Sequence, residues 1–416
     1  MSKLLADTDW SELDHAYGPA SDAPFQLLAL FSADITARSA AVAYLDGAVL
    51  HQGSVYSATG PVARVVATML RDPRTMEPVE NVLPWDTEPR PLRLDLVDFL
   101  ARVAESCAFD STDKSALLAK AHPAGRDEAE LELTQVEFRT WLRDRTGGGR
   151  TPPPDKVPAA VLDKEFAQAM SARNTLACRA LAPELLDGLT AVFDDPDGRV
   201  KVKALEAAVH LTGHRSLTKE RPAIEHRLEA AAVDCPDPRV RAGAARLLGI
   251  LGARPQALLH DVHPGVRACA AIAPSLADDP SATRAILDAL LTPREADHWF
   301  EGHLPGQEGW LRFDLIRAAA LGVDDFEELL PAALAVLALA GVFTLDQDIG
   351  PFVTAAFPRP HRVGNALSTA QRAYLSAVLD REELWRAVSA QPWFRRTALP
   401  QDPAACRTLV ETPNPA

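Results

Sequence analysis

A turn that recurs ahead of an apolar helix constrains this chain more than any other feature. It reads Asp194-Asp195-Pro196-Asp197-Gly198-Arg199-Val200-Lys201, then Lys203-Ala204-Leu205-Glu206-Ala207-Ala208-Val209. It returns as Asp234-Cys235-Pro236-Asp237-Pro238-Arg239-Val240-Arg241 ahead of Ala242-Gly243-Ala244-Ala245-Arg246-Leu247-Leu248. A third copy, His260-Asp261-Val262-His263-Pro264-Gly265-Val266-Arg267, precedes Ala268-Cys269-Ala270-Ala271-Ile272. A degenerate one, Ser32-Ala33-Asp34-Ile35-Thr36-Ala37-Arg38, leads into Ser39-Ala40-Ala41-Val42-Ala43-Tyr44-Leu45. Each piece has a job. Pro ends the preceding helix, and Asp accepts from the free N–H groups that open the next. Val anchors the new helix in the core, and small Ala residues let neighbouring helices approach closely. The step from Val200 to Val240 suits a two-helix repeat, whereas the shorter step from Val240 to Val266 implies a clipped first helix.

Composition agrees with thin helical layers. The chain has 416 residues, 47% hydrophobic and only 6% aromatic. That much apolar surface can offset the entropy of ordering the chain, while sheets would favour more β-branched and aromatic side chains. The predicted fold is all-α, an α-solenoid of antiparallel helix pairs wound as a right-handed superhelix. The turn, with its Asp–Pro–x–Val–Arg pattern, resembles the HEAT-repeat family. Two further stretches resemble a narrower group of bacterial HEAT-repeat proteins common in high-GC actinobacteria. They are Trp10 to Pro24 with His51 to Thr59, and Leu367 to Leu375 with Leu384-Trp385. This resemblance implies a scaffold and no particular activity.

Two interruptions organise the chain. Residues 71–91 contain Pro73, Pro78, Pro84, Pro89 and Pro91, which predicts an extended loop. Gly147-Gly148-Gly149-Arg150-Thr151-Pro152-Pro153-Pro154 is flexible and then stiff, the composition of a linker. The expected domains are therefore a helical block at 1–146, a linker at 147–158, a repeat solenoid at 159–390 and a loose tail at 391–416. The charge-free run from Leu329 to Leu345 is shorter than the roughly 20 residues a membrane span needs, and it contains Pro331 and Gly341. It reads as a buried helix.

The net charge of −14 argues against a broad nucleic-acid face. Five dispersed cysteines form no CxxC pair and no disulfide framework. With no apolar leader at the N-terminus, a reduced, cytoplasmic setting is expected. Phosphate loops, nucleophile elbows and HExxH motifs are absent from the sequence, so no cofactor is expected.

The most unusual segment is Thr292-Pro293-Arg294-Glu295-Ala296-Asp297-His298-Trp299-Phe300-Glu301-Gly302-His303, continuing to Trp310 and Asp314. Thr292 with Glu295 predicts a capping box and Pro293 a helix start. Glu295, His298 and Glu301 then share a face, and a Glu-x-x-His pair can ligate a metal with His303 added. Di-metal bundles need a second such motif on another helix, and none is read there, so no metal is expected. Trp310 followed four positions later by Asp314 is similar to the active-site element of HEAT-like alkylpurine DNA glycosylases. That resemblance would set Trp310 against a cationic nucleotide and make Asp314 its carboxylate. The enzyme reading places catalysis on His298 and Asp314, with Trp299, Trp310, Glu301 and His303 as binding residues. His51 and Tyr56, at a helix junction, are further binding candidates. Arg38, Lys201, Lys203, Arg241, Arg246 and Arg267 line the inner helices, either as a basic stripe or as an Asp–Arg ladder between repeats. The leading expectation is a binding scaffold that presents a concave groove to a protein or peptide, and the alternative is an enzyme with a pocket near residues 295–314.

Overall fold

The computed structural model describes the chain apart from residues 81–89, 108–113, 147–158, 301–303, 308, 363–364 and 413–416. Helix accounts for 70% and strand for 2%, so the protein is all-α. Two two-residue ribbons, Asp14–His15 with Gly18–Pro19 and Pro78–Val79 with Arg90–Pro91, complete the regular structure of the described residues. These residues form two compact units, Met1–His226 and Arg227–Ala416. The linker expected at 147–158 lies outside the described residues.

The first unit contains α1 (Ile35–Tyr44), α2 (Thr59–Met69), α3 (Leu92–Ser106), α4 (Lys114–Ala121), α5 (Glu128–Thr146), α6 (Lys164–Ala180), α7 (Ala182–Thr190) and α8 (Gly198–Thr212). α3 packs against both α2 and α8, α2 against α7, and α4 against α6. Helices from both sides of 147–158 therefore share this unit. α2 and α7 approach so closely that a Cβ on Gly188 would meet the backbone oxygen of Ala67 at 2.7 Å. Only glycine fits there without moving a helix.

The second unit contains α9 (Pro238–Ile250), α10 (Pro264–Ala271), α11 (Pro280–Leu291), α12 (Leu311–Gly322), α13 (Phe326–Leu337) and α14 (Thr369–Leu379). α10 packs between α9 and α11, α11 meets α12 and α13, and α13 meets α14. The C-terminal stretch, expected to be loose, is packed. Pro392 and Pro403 each open a short helix. Phe394 is fully buried and lies edge-on to Trp385 at 5.4 Å.

The recurring turn works as its residue types dictate. Asp34, Asp197 and Asp237 accept from the backbone N–H two residues on, at 3.1, 2.9 and 2.8 Å. Where the third copy has His263 at this position, its Nδ1 accepts from Gly265 at 3.1 Å. That requires the neutral ring, and burial keeps the imidazole below its ordinary range against the opposing pull of Asp261. Val200, Val240 and Val266 are each 0% exposed. Truncating Val240 to Ala is expected to cost about 1–3 kcal/mol through lost burial and a cavity. An unchanged denaturation midpoint would show that the turns are not equivalent anchors.

Several arginines at and near these turns are spent within the fold. Arg38 donates to the carbonyls of Ser32 and Pro78. Arg241 grips Asp261, in the next turn, through two bonds of 2.8 and 3.0 Å. Arg267 donates to the carbonyls of Asp261 and Val262. Arg93, at the start of α3, reaches Asp195, in the turn before α8, at 2.7 Å. These are the rungs of a ladder. Burying them in pairs satisfies charges that would otherwise be stranded between helices.

Candidate functional site

Pro293 opens the short helix Pro293–His298 as expected, but Thr292 makes no side-chain cap bond. The Glu295 carboxylate instead accepts from Trp299 Nε1 at 3.4 Å, so the capping box does not form. A full capping box is found elsewhere, between Ser368 and Gln371 at the start of α14.

Glu295 and His298 do share a face. Both line an open depression of about 530 Å³ whose floor includes Leu291, Pro293, Ala335 and Leu339. His298 Nδ1 donates to the Arg294 carbonyl at 2.7 Å, which assigns the acceptor lone pair to Nε2. The imidazole stacks on Trp310, with centroids 6.4 Å apart and planes 29° apart. Trp310 is 45% exposed.

Asp314 is placed differently. It accepts from Arg246 at 2.8 Å and from Arg317 at 3.1 Å, and it does not line the depression. Arg246 also binds the carbonyls of Pro305 and Gly306 at 2.7 and 2.9 Å. This pins the loop between Trp299 and α12. The structure thus brings Glu295, His298, Trp299 and Trp310 together and keeps the Asp314 carboxylate in ion pairs. Glu301 and His303 lie outside the described residues. Among those described, no three His, Cys, Asp or Glu side chains are grouped to hold a metal.

Behind this depression lies a buried ion triad. Arg312 donates through its backbone N–H to Asp297 Oδ1 at 3.1 Å and through Nη1 to Asp297 Oδ2. Its Nε and Nη2 bind Asp348 at 2.8 and 3.2 Å. Asp348 is 0% exposed. Tyr374 is also fully buried, and its hydroxyl has no hydrogen-bond partner among the described residues. Since an unmet buried hydroxyl costs stability, Tyr374→Phe is expected to be neutral or to stabilise by about 1 kcal/mol. A loss of more than that in chemical denaturation would reveal a partner for the hydroxyl.

His51 and Tyr56 act at their junction. His51 Nδ1 lies 3.0 Å from the Gly47 carbonyl and 3.3 Å from the Tyr17 hydroxyl. Tyr56 donates its backbone N–H to Thr59 Oγ1 at 2.9 Å. Beside them, His15 uses both ring nitrogens, on the Tyr17 N–H and on Asp22. It has no free nitrogen to act as a base.

A charged constellation in the first unit was not singled out by the sequence. Asp46 pairs with Arg102, Arg102 Nε with Asp98 at 3.1 Å, Asp98 with Lys203 at 3.2 Å, and Lys203 with Glu206 at 2.8 Å. Alongside, Arg90 holds Asp95 at 2.5 Å. Burial raises the Asp95 carboxyl to about 7 against the pull of Arg90, with Asp98 and Asp46 adding to the rise. Burial works against the Asp98 charge too, but Lys203 and Arg102 hold that carboxyl below its ordinary range. Asp95, Asp98 and Arg102 recur at helical spacing on α3. That spacing is the signal a sequence reader could have used.

Compared with family models, curated proteins and solved structures, the chain matches none of them.

Proposed function

We propose that this chain is a HEAT-like repeat protein, a right-handed α-solenoid of antiparallel helix pairs, that serves as a cytoplasmic binding scaffold for a protein or peptide. The reading rests on two ion pairs: Arg241 ties its turn to the next one at Asp261, and Arg93 ties the start of α3 to the turn ahead of α8. Repeats that spend their charges on stacking act through an extended surface rather than a closed reaction chamber. The depression beside His298 supports the same reading, because it is open and Asp314 is not part of it. No helix among the described residues is long and apolar enough to cross a membrane.

The test is selection from a peptide library displayed against the full-length protein, followed by hydrogen exchange on the complexes. Reproducible peptides in the micromolar range, with protection confined to a contiguous set of helices, are expected. Recovery of no peptide, together with a small-molecule turnover abolished by His298→Ala, would replace the scaffold with an enzyme.

A further inference from the structure

Two concavities in the second unit adjoin. One is an apolar cavity of about 250 Å³, walled by Leu276, Ala282, Ile286, Ala319, Leu321 and Val323. The other is an open shelf of about 670 Å³. They share Ala277, Thr283, Gly322 and Val323. Leu321, at their edge, is 82% exposed. The shelf is lined by five carboxylates, Asp278, Asp288, Asp324, Asp325 and Glu328, against a single guanidinium, Arg284.

These acids differ from the buried and nearly buried acids of the same unit. Asp261, Asp279, Asp297, Asp314 and Asp348 are each held by an arginine. By contrast, Asp278, Asp288, Asp324 and Glu328 are exposed and form no ion pair among the described residues. Asp325 caps α13 through the Glu327 N–H at 2.9 Å and keeps its charge outward on the shelf. Uncompensated like charges along one rim repel each other. Complementary charge brought by a partner relieves it.

We propose that this composite groove, between α11 and α12 and the turn into α13, binds a linear segment of a partner protein that carries an aliphatic or aromatic anchor next to lysines or arginines. The anchor fills the cavity against Ile286 and Ala319, and the basic residues lie over the acidic shelf. Apolar burial supplies affinity, while the shelf supplies orientation and discriminates against acidic segments. The proposal rests on the scaffold reading and names its partner chemistry.

The experiment is fluorescence polarisation of full-length protein with labelled short peptides. One peptide has a leucine or phenylalanine followed by lysines and arginines, a second replaces the basic residues by glutamates, and a third replaces the anchor by serine. The first is expected to bind, more weakly as ionic strength rises, and the other two to bind at least several-fold less. The triple variant Asp278→Lys, Asp288→Lys, Glu328→Lys changes exposed side chains only and should melt like the parent. It should bind the basic peptide roughly tenfold less tightly, as loss of a few exposed charge pairs implies. Leu321→Asp should weaken all anchored peptides. Equal binding of basic and acidic peptides, or full binding by the triple variant, would overturn the proposal. Concentration-dependent self-association abolished by the triple variant would assign the groove to a second copy and also overturn it. If library-selected peptides bind while the basic probe does not, the groove assignment fails and the scaffold reading stands. If no peptide of any composition binds, the scaffold reading fails as well.

Discussion

Replacing Arg312 by Ala is expected to destabilise the second unit by about 3–5 kcal/mol, the largest single-site loss we anticipate. Arg312 is 6% exposed and Asp297 5%, with Asp348 fully enclosed. Removing the guanidinium leaves two buried carboxylates facing each other without a cation, and both must then protonate or draw in water. A second effect adds to this. Arg312 lies over the Phe313 ring at 4.6 Å, and Asp297 accepts from the backbone N–H of Arg312 at 3.1 Å. The triad therefore fixes where α12 begins. Urea unfolding with separate probes for the two units should show the loss in the C-terminal transition alone. The triple replacement Arg312→Met, Asp297→Leu, Asp348→Leu removes the charges together and should recover much of the stability. If the single variant unfolded like the parent, the triad would be solvated in solution.

The second large effect is a reversed pH dependence from Asp95. Its folded-state value of about 7 lies above the ordinary aspartate value. Its contribution to stability is therefore complete below the unfolded-state value and is lost as pH rises through about 7. At about 1.4 kcal/mol per unit, the loss between acidic and neutral pH is on the order of 4 kcal/mol. Other carboxylates oppose this at the acid end. Those held below their ordinary range, such as Asp98 and Asp261, lose stability as pH falls. The clean measurement is thus the difference between the parent and Asp95→Asn, which keeps the shape and cannot ionise. The variant should be nearly as stable as the parent near pH 4 and increasingly more stable as pH rises to 8. Loss of the Arg90 pair reduces this gain without reversing it. Parallel pH profiles for the two proteins would mean that Asp95 ionises normally.

The repeats of Val200, Val240 and Val266 were legible because their turns carry a local signal, an acid or its substitute at the cap and a proline beside it. The helix Leu92–Ser106 carries no such signal. Its N-cap is Pro91, which has no side-chain acceptor, so nothing local marks it as the partner of α8. Of the charged constellation, only the spacing of Asp95, Asp98 and Arg102 on α3 is local. Lys203 reads as one basic residue on an inner helix, and nothing local pairs it with Asp98, more than a hundred positions earlier and 3.2 Å away. Ahead of Trp299, Pro293 marked a helix start, and it opens the helix Pro293–His298. Asp314 carries no such signal, since its carboxylate is paired with Arg246, 68 positions earlier in the chain. A short motif names residue types, and only the fold decides which neighbour takes their charge.

The packing of α3 on α8 sets the order in which the N-terminal unit can form. Arg93 and Asp195 are 102 residues apart, and Arg71 and Asp187 are 116 apart. In the second unit, α9 meets α10 and α10 meets α11 almost as each is made. On a ribosome, α3 emerges with Leu96, Phe99 and Leu100 destined for complete burial, yet α8 has not been synthesised. Closing so long a loop costs entropy before any contact repays it. For that interval the apolar face of α3 is open to water and to other nascent chains, the circumstance in which chaperones engage. The second unit can zip up helix by helix, while the first waits for α8.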